Sequence, residues 1–256
     1  MINVLQFNKD AWNKLVDVKD RWTIPVSREE IDSAKTGKWH VLLTPCKPVP
    51  KDWFPPMEGS DVLCLASGGG QQAPIFAAAG AKVTSFDNSP KQLEQDQFVA
   101  RRDGLEIRTI EGDMADLSVL LDESFDFIFN PVSNCFIPKL KPVWNEAFRV
   151  LRKGGTMITG FVNPVEYCFD SGLAENGIYH IKYSLPYSDL TSITEKERIR
   201  LYDPDEPVEF SHTLEEQISG QLEAGFHLIG FFEDYRAEEK IKYYMPSFIA
   251  TRSQKL

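Results

Sequence analysis

From residue 60 onward the chain alternates short apolar runs with longer mixed stretches. Val62-Leu63-Cys64-Leu65-Ala66 is wholly apolar and gives way at once to Ser67-Gly68-Gly69-Gly70. An apolar run cut off by glycine reads as a buried strand, about 61–66, ending in a loop where backbone must come close to something. The alanine-rich segment after it, stopped by Gly80, predicts a helix over 71–79. The alternation then repeats, predicting strands at 81–87, 105–111, 125–130 and 156–162. Between them it predicts a helix at 89–103, with Asn88 or Ser89 as cap and Pro90 in the first turn. A short helix at 115–121 and a helix at 141–152, closed by Gly154-Gly155, complete the series.

The rhythm breaks after Pro164. Residues 165–210 are polar, aromatic and turn-rich, and read as an insertion with some antiparallel structure, Ile178 to Tyr183 being a candidate strand. Thr213 and Glu216 form a capping box that opens a helix ending at Gly225. Phe226–Glu233 and Ser247–Arg252 read as strands that pair antiparallel, because no helical crossover links them. The fold class is therefore α/β: a doubly wound, mostly parallel seven-stranded sheet with an antiparallel C-terminal strand and helices on both faces.

Before residue 60 lie four of the five tryptophans and six of the sixteen prolines. Ser27 and Glu30 form another capping box, opening a helix that stops near Gly37. Residues 44–56, TPCKPVPKDWFPP, hold too many prolines for a helix, yet Trp53 and Phe54 demand burial. This segment reads as an extended piece packed on the core, either a strap over a hydrophobic edge or a lid over a ligand.

Composition narrows the class. Hydrophobic residues at 42% and aromatics at 12% are ample for a core. No stretch approaches the roughly 18 uninterrupted apolar residues of a membrane span, and the first residues carry no leader pattern. A net charge of −10 argues against a protein that grips many nucleic-acid phosphates. Cys46, Cys64, Cys135 and Cys168 are widely spaced, and read as reduced thiols of a cytoplasmic protein rather than disulfides or metal ligands.

Right-handed crossovers bring the C-terminal ends of the parallel strands to one sheet edge, where such folds hold ligands. That edge collects the glycine loop, Asp87, Asp113 and Asn130. Asp87 lies 19 residues after Gly68, a spacing at which a carboxylate can accept both hydroxyls of a ribose. Asn88 and Ser89 already offer a cap for the next helix, which leaves Asp87 for a ligand. Asp113 could accept from an exocyclic amine, and Met114 could lie on a flat adenine face. The loop alone is ambiguous, since Gly68-x-Gly70-x-x-Ala73 also fits a dinucleotide pattern. Cys135 has no basic partner placed by sequence to make it a nucleophile. Of the scattered histidines, His180 in the insertion is the one candidate base.

Together these segments resemble the class I S-adenosylmethionine-dependent methyltransferases, of the small-molecule, methyltransferase-11-like type. VLCLASGGG is similar to their first motif, usually VLDLGCGTG, and SFDNSP and EGDMADL to the second and third. FDFIFNPVSN is similar to the strand-four motif, and EAFRVLRKGGTMITGF to the helix–turn–strand after it. The likeness covers roughly residues 60–162 and continues in HTLEEQISGQLEAGF. It departs at Cys64, where an acid is usual, and at Ala66, where the first glycine is usual.

The resemblance implies a Rossmann-like domain over 60–256, with its insertion at about 165–210 and the 1–59 extension packed on it. It implies S-adenosylmethionine as cofactor. Ala66, Ser67, Gly68 and Gln71 would line the methionine end, with Gly70 beside them. Asp87 and Asn88 would hold the ribose, Asp113 and Met114 would frame the adenine, and Asn130 would lie near the amino group or sulfonium. The expected reaction is methyl transfer to a small-molecule acceptor held among Ser133, Asn134, Tyr167 and His180. Two alternatives stay open: an NAD(P)-dependent oxidoreductase using the same loop, and a non-catalytic S-adenosylmethionine-binding protein.

Overall fold

The computed structural model describes residues 2–201 and 206–256. Two helices, α1 (Val4–Asp17) and α2 (Arg28–Lys35), precede the sheet. The core runs β1 (Asp61–Leu65), α3 (Gln72–Ala78), β2 (Lys82–Asp87), α4 (Pro90–Asp103), β3 (Ile107–Glu111), β4 (Phe125–Asn130), α5 (Lys141–Val150) and β5 (Leu151–Val162). After it come α6 (Ser171–Ala174), α7 (Glu195–Leu201), α8 (Gly220–Glu223), β6 (His227–Asp234) and β7 (Phe248–Gln254). The strands form one seven-stranded sheet in the order β3-β2-β1-β4-β5-β7-β6. β7 is antiparallel to both neighbours, and the other strands run one way. This is the architecture that the alternating pattern predicts.

β1 is central because it is apolar on both faces, with every residue after Asp61 buried. Its side chains alternate between two layers. Val62 and Cys64 join Phe127, Phe129 and Ile158 under Phe76 of α3 and Val99 of α4. Leu63 and Leu65 join Phe86, Ile128 and Met157 under Val143 and Trp144 of α5. The proline segment packs on the first of these layers. Its Trp53 ring lies 5.2 Å from Phe232, and Phe54 lies 5.9 Å from Phe76 and 5.7 Å from Phe127.

Several local expectations need correction. No helix forms over 115–121. Asp113 Oδ1 accepts Ala115 N–H at 2.9 Å, Asp116 Oδ1 accepts Ser118 N–H at 3.0 Å, and Glu146 Oε2 accepts Leu117 N–H at 2.9 Å. Side chains thus take the donors, and the backbone follows turns instead. Helix α5 stops at Val150, and Gly154-Gly155 lies inside β5, where the register against β4 slips between Phe125 and Phe127. Ile178–Tyr183 contributes a single antiparallel bridge, Phe169 to Ile181, rather than a strand. Residues 202–205 of the insertion lie outside the described residues.

The capping box of Thr213 and Glu216 forms in both directions, at 2.9 and 3.1 Å. The turn after it is nevertheless a π-turn, Glu215–Ser219. Trp144 Nε1–H donates to Glu216 O at 3.0 Å, and that carbonyl is the one Gly220 N–H would use in an α-helix. Gly220 N–H bonds Glu215 O instead. Helix α1 has no counterpart in the sequence reading because its buried face is Asn8, Ala11 and Val16. A polar and a small residue dilute the apolar stripe that marks a helix.

Trp53→Ala removes a buried indole from the strap and should cost about 3–5 kcal/mol in urea unfolding. A loss within about 0.5 kcal/mol, the range of ordinary surface substitutions, would show that the strap is not part of the core.

Candidate active site

After β1 the chain turns sharply. Ala66 takes φ +48°, a left-handed conformation that glycine adopts freely and alanine does not. The loop that follows is held by two carboxylates on different elements. Asp87, ending β2, accepts Gly68 N–H on Oδ2 at 3.0 Å and Ser89 N–H on Oδ1 at 2.8 Å. Asp96, inside α4, accepts Gly70 N–H at 2.8 Å and the Ser85 hydroxyl at 2.6 Å. Burial pushes Asp96 up to about 7, although its two hydrogen bonds favour the charged form. Burial also raises Asp87, and it raises the Cys64 thiol well above its ordinary value, with Asp96 adding to that rise. The acid usual in strand one is absent at Cys64, and here a carboxylate reaches the loop from the neighbouring helix.

The outer side of the loop is covered by the N-terminal segment. Val26 N–H donates to Gly70 O at 2.9 Å, and Gln71 Nε2 donates to Arg21 O at 3.1 Å and Ile24 O at 3.2 Å. A Cβ on Gly69 would lie 3.0 Å from Trp22 O, and one on Gly70 would lie 2.8 Å from Pro25 Cβ. The close backbone approach expected at the glycines is therefore in part the approach of this chain's own N-terminal segment.

Helix α1 bridges the site. Asn8 Nδ2 donates to Phe136 O at 2.8 Å and Val208 O at 3.0 Å, and Asn8 Oδ1 accepts Val208 N–H at 2.7 Å. At the other side Asn88 Nδ2 donates to Leu5 O at 3.0 Å, and Asn13 Oδ1 accepts the Ser89 hydroxyl at 2.8 Å.

These elements surround one continuous cavity of about 1630 Å³. A pocket for one ligand is typically about 300–1,000 Å³, so there is room for two. Ala66, Ser67, Gly68, Gln71, Asp87, Asn88, Asp113 and Met114 line one end, and Ser133 and Tyr167 lie further in. Gly70, Asn130, Asn134 and His180 do not line it. Gly70 N–H is bound to Asp96. Asn130 is fully buried beneath the loop, donating to Leu65 O at 3.1 Å and accepting the Thr159 hydroxyl at 2.7 Å. Asn134 is also fully buried and donates to Gln217 at 2.9 Å. His180 is exposed on the insertion.

Sequence reasoning missed several lining residues. Gln92 is 5% exposed, and its Oε1 is buried with no hydrogen-bond partner. At the far end Glu166, Glu209, Arg236 and Glu239 line the wall. The Tyr167 hydroxyl donates to Glu209 Oε2 at 2.7 Å, and Arg236 Nη1 donates to Glu239 Oε1 at 2.9 Å. Burial raises Glu166 and Glu209 to about 7. Cys135 is no nucleophile, since burial and the Glu209 charge hold its thiol well above the ordinary value. A signal for Asp96 and Gln92 existed: with Leu93, Val99 and Ala100 they form the buried stripe of α4.

The near end fits S-adenosylmethionine. A carboxylate offers about four acceptor sites. Asp87 uses two on backbone N–H groups, and its exposed surface faces the cavity. Gln92 Oε1 adds an acceptor that lacks a donor. Ribose hydroxyls and an ammonium group are donors of the kind these atoms need.

Residues 63–159 match the family model described as a methyltransferase domain. The chain is 50% identical over 249 residues, covering 97% of each chain, to the uncharacterized methyltransferase YbaJ of Bacillus subtilis strain 168. The crystal structure of an S-adenosylmethionine-dependent methyltransferase from Mesorhizobium loti shares the fold at 16% identity, with a TM-score of 0.60 over 80% of this chain and 95% of that one. The [4+2]-cyclase SpnF also shares it, at 16% identity and a TM-score of 0.54, over 77% of this chain and 76% of that one. Fold alone therefore does not decide the reaction. The extended relationship to YbaJ places the chain in a family: it belongs to the S-adenosylmethionine-dependent methyltransferases. It is an enzyme with S-adenosylmethionine as cofactor, and neither the oxidoreductase nor the non-catalytic alternative gains support from these relationships.

Asp96→Ala leaves two buried donors, Gly70 N–H and Ser85 O–H, without their acceptor, and should cost at least about 2 kcal/mol. Asp96→Asn keeps one acceptor and should cost less. An unfolded aspartate releases its proton near pH 4, whereas folded Asp96 does so at about 7. Between those values the folded chain holds the extra proton, so Asp96 makes stability fall as pH rises through that window. Unfolding measured against pH should show a shallower fall for Asp96→Asn than for wild type, and parallel curves would contradict the assignment.

Proposed function

We propose that the enzyme methylates a small molecule bound at the far end of the cavity. The observation that supports this best is a single cavity, larger than one ligand needs, whose lining runs from the loops after β1, β2 and β3 to those after β5 and β6, on opposite sides of β4 in the sheet. When bound, S-adenosylmethionine supplies an activated methyl sulfonium. The chain's task is to hold donor and acceptor in line and to keep water out.

Asp87 accepts from the ribose hydroxyls with the lone pairs its backbone contacts leave free. Gln92 Oε1 accepts a further donor of the cofactor. Asp113 and Met114 border the adenine, and Ala66, Ser67, Gly68 and Gln71 border the methionine portion. Helix α1 and residues 21–26 pack over the cofactor end, which favours an acceptor small enough to enter the cavity. The net charge of −10 likewise disfavours a nucleic-acid acceptor. Glu209, hydrogen-bonded to Tyr167 and lifted to about 7, is suited to receive a proton from the acceptor. Four free cysteines fit a cytoplasmic location.

Asp87→Ala should weaken S-adenosylhomocysteine binding at least tenfold, about 1.4 kcal/mol, by calorimetry. Unchanged affinity in a folded variant would remove the ribose assignment. With methyl-labelled S-adenosylmethionine and a cell extract, label should enter the dialysable fraction. Label confined to protein or nucleic acid would overturn the small-molecule reading.

A further inference from the structure

We propose that the acceptor is a small amine, bound as its cation between the carboxylates and tyrosine rings at the far end of the cavity; Glu209 takes its proton, and the freed nitrogen lone pair then takes the methyl group as S-adenosylhomocysteine leaves. This rests on that end being the acceptor site.

Glu166, Glu209 and Glu239 are among the carboxylates that line that end, alongside the guanidinium of Arg236. Arg236 pairs directly with Glu239, and its charge also acts on Glu209 and Glu166. Its Nη1 donates to Glu239 at 2.9 Å, and its guanidinium lies 5.0 Å from the centre of the Phe248 ring. Among the described residues, Glu166 and Glu209 make no direct ion pair. Glu166 Oε1 and the Ser247 hydroxyl are both buried and face one another, the hydroxyl favouring the charged carboxylate. Glu209 holds the Tyr167 hydroxyl at 2.7 Å. The chamber thus holds carboxylates in excess of its one guanidinium, although Arg236 Nε and the Tyr183 hydroxyl are themselves buried without a partner.

The aromatic wall favours the same ligand. Tyr167 and Tyr187 stack with centroids 5.5 Å apart and planes at 28°, and Tyr183 lies 5.2 Å from Tyr187. The Tyr187 hydroxyl donates to Asp189 at 2.6 Å, which fixes the ring. Aromatic faces attract a desolvated cation, and a nearby carboxylate adds a charge-assisted hydrogen bond. An anionic ligand would meet carboxylates in excess of the one guanidinium. Burial lifts Glu166 and Glu209 to about 7 despite the Arg236 charge, and an ammonium group beside them would favour their charged forms.

The test is calorimetry on the full-length enzyme saturated with S-adenosylhomocysteine. Phenethylamine, 2-phenylethanol and phenylacetate share a body and differ in charge. Phenethylamine should bind at least tenfold more tightly than either of the others. The double variant E166Q/E209Q should lose that preference while its S-adenosylhomocysteine affinity stays within twofold of wild type. Amine binding no tighter than that of the alcohol or the carboxylate overturns the proposal, as does the absence of measurable amine binding. In either case intact S-adenosylhomocysteine binding leaves the cofactor site standing. Loss of S-adenosylhomocysteine binding in the wild-type protein would instead overturn the reading beneath it.

Discussion

Asp87 and Asp96 grip the glycine loop from two sides, one through Gly68 N–H and the other through Gly70 N–H. Backbone donors in a sheltered loop must find acceptors, and a carboxylate there must find donors. Each need answers the other, so the loop has one position relative to β2 and α4. That position leaves part of Asp87 facing the cavity. Ser85 completes the arrangement, because its hydroxyl takes the second oxygen of Asp96. The chemistry of the site begins from this fixed geometry, and not from the glycines as such.

The N-terminal extension joins the two ends of the cavity. Residues 21–26 lie on the glycine loop, while Asn8 ties α1 to Phe136 and Val208 near the far end. Trp12 adds an edge-on contact with Phe136 at 5.2 Å. A segment that reads as a simple extension thus has two parts. Trp53 and Phe54 of the proline stretch belong to the core, whereas its first residues, Thr44 and Pro45, join α1 and residues 21–26 in the cavity wall.

The sheet was legible because buried parallel strands announce themselves as apolar runs, and β1 is the clearest of them. The near end of the cavity was legible for a related reason: strand ends gather at one edge, which is where Asp87 and Asp113 were sought. Asp96 was hidden because an acid in a helix usually faces water, and only its place in the stripe of α4 betrays burial. The far chamber was hidden more deeply. Ser133 and Tyr167 were legible from the resemblance, but Glu209 and Arg236 are far from them in the chain, and nothing in their spacing says that they meet. Asn130 sits where the resemblance expects it, yet it turns inward to Leu65 and Thr159 rather than toward the cavity. His180 shows the converse, a residue singled out for its chemistry that the insertion leaves exposed.

A crystal structure with S-adenosylhomocysteine bound tests this arrangement most directly. The expected result is ribose hydroxyls on Asp87, a ligand donor on Gln92 Oε1, and the far chamber left free for the acceptor. A ligand seated elsewhere, or one whose ribose turns away from Asp87, would contradict it.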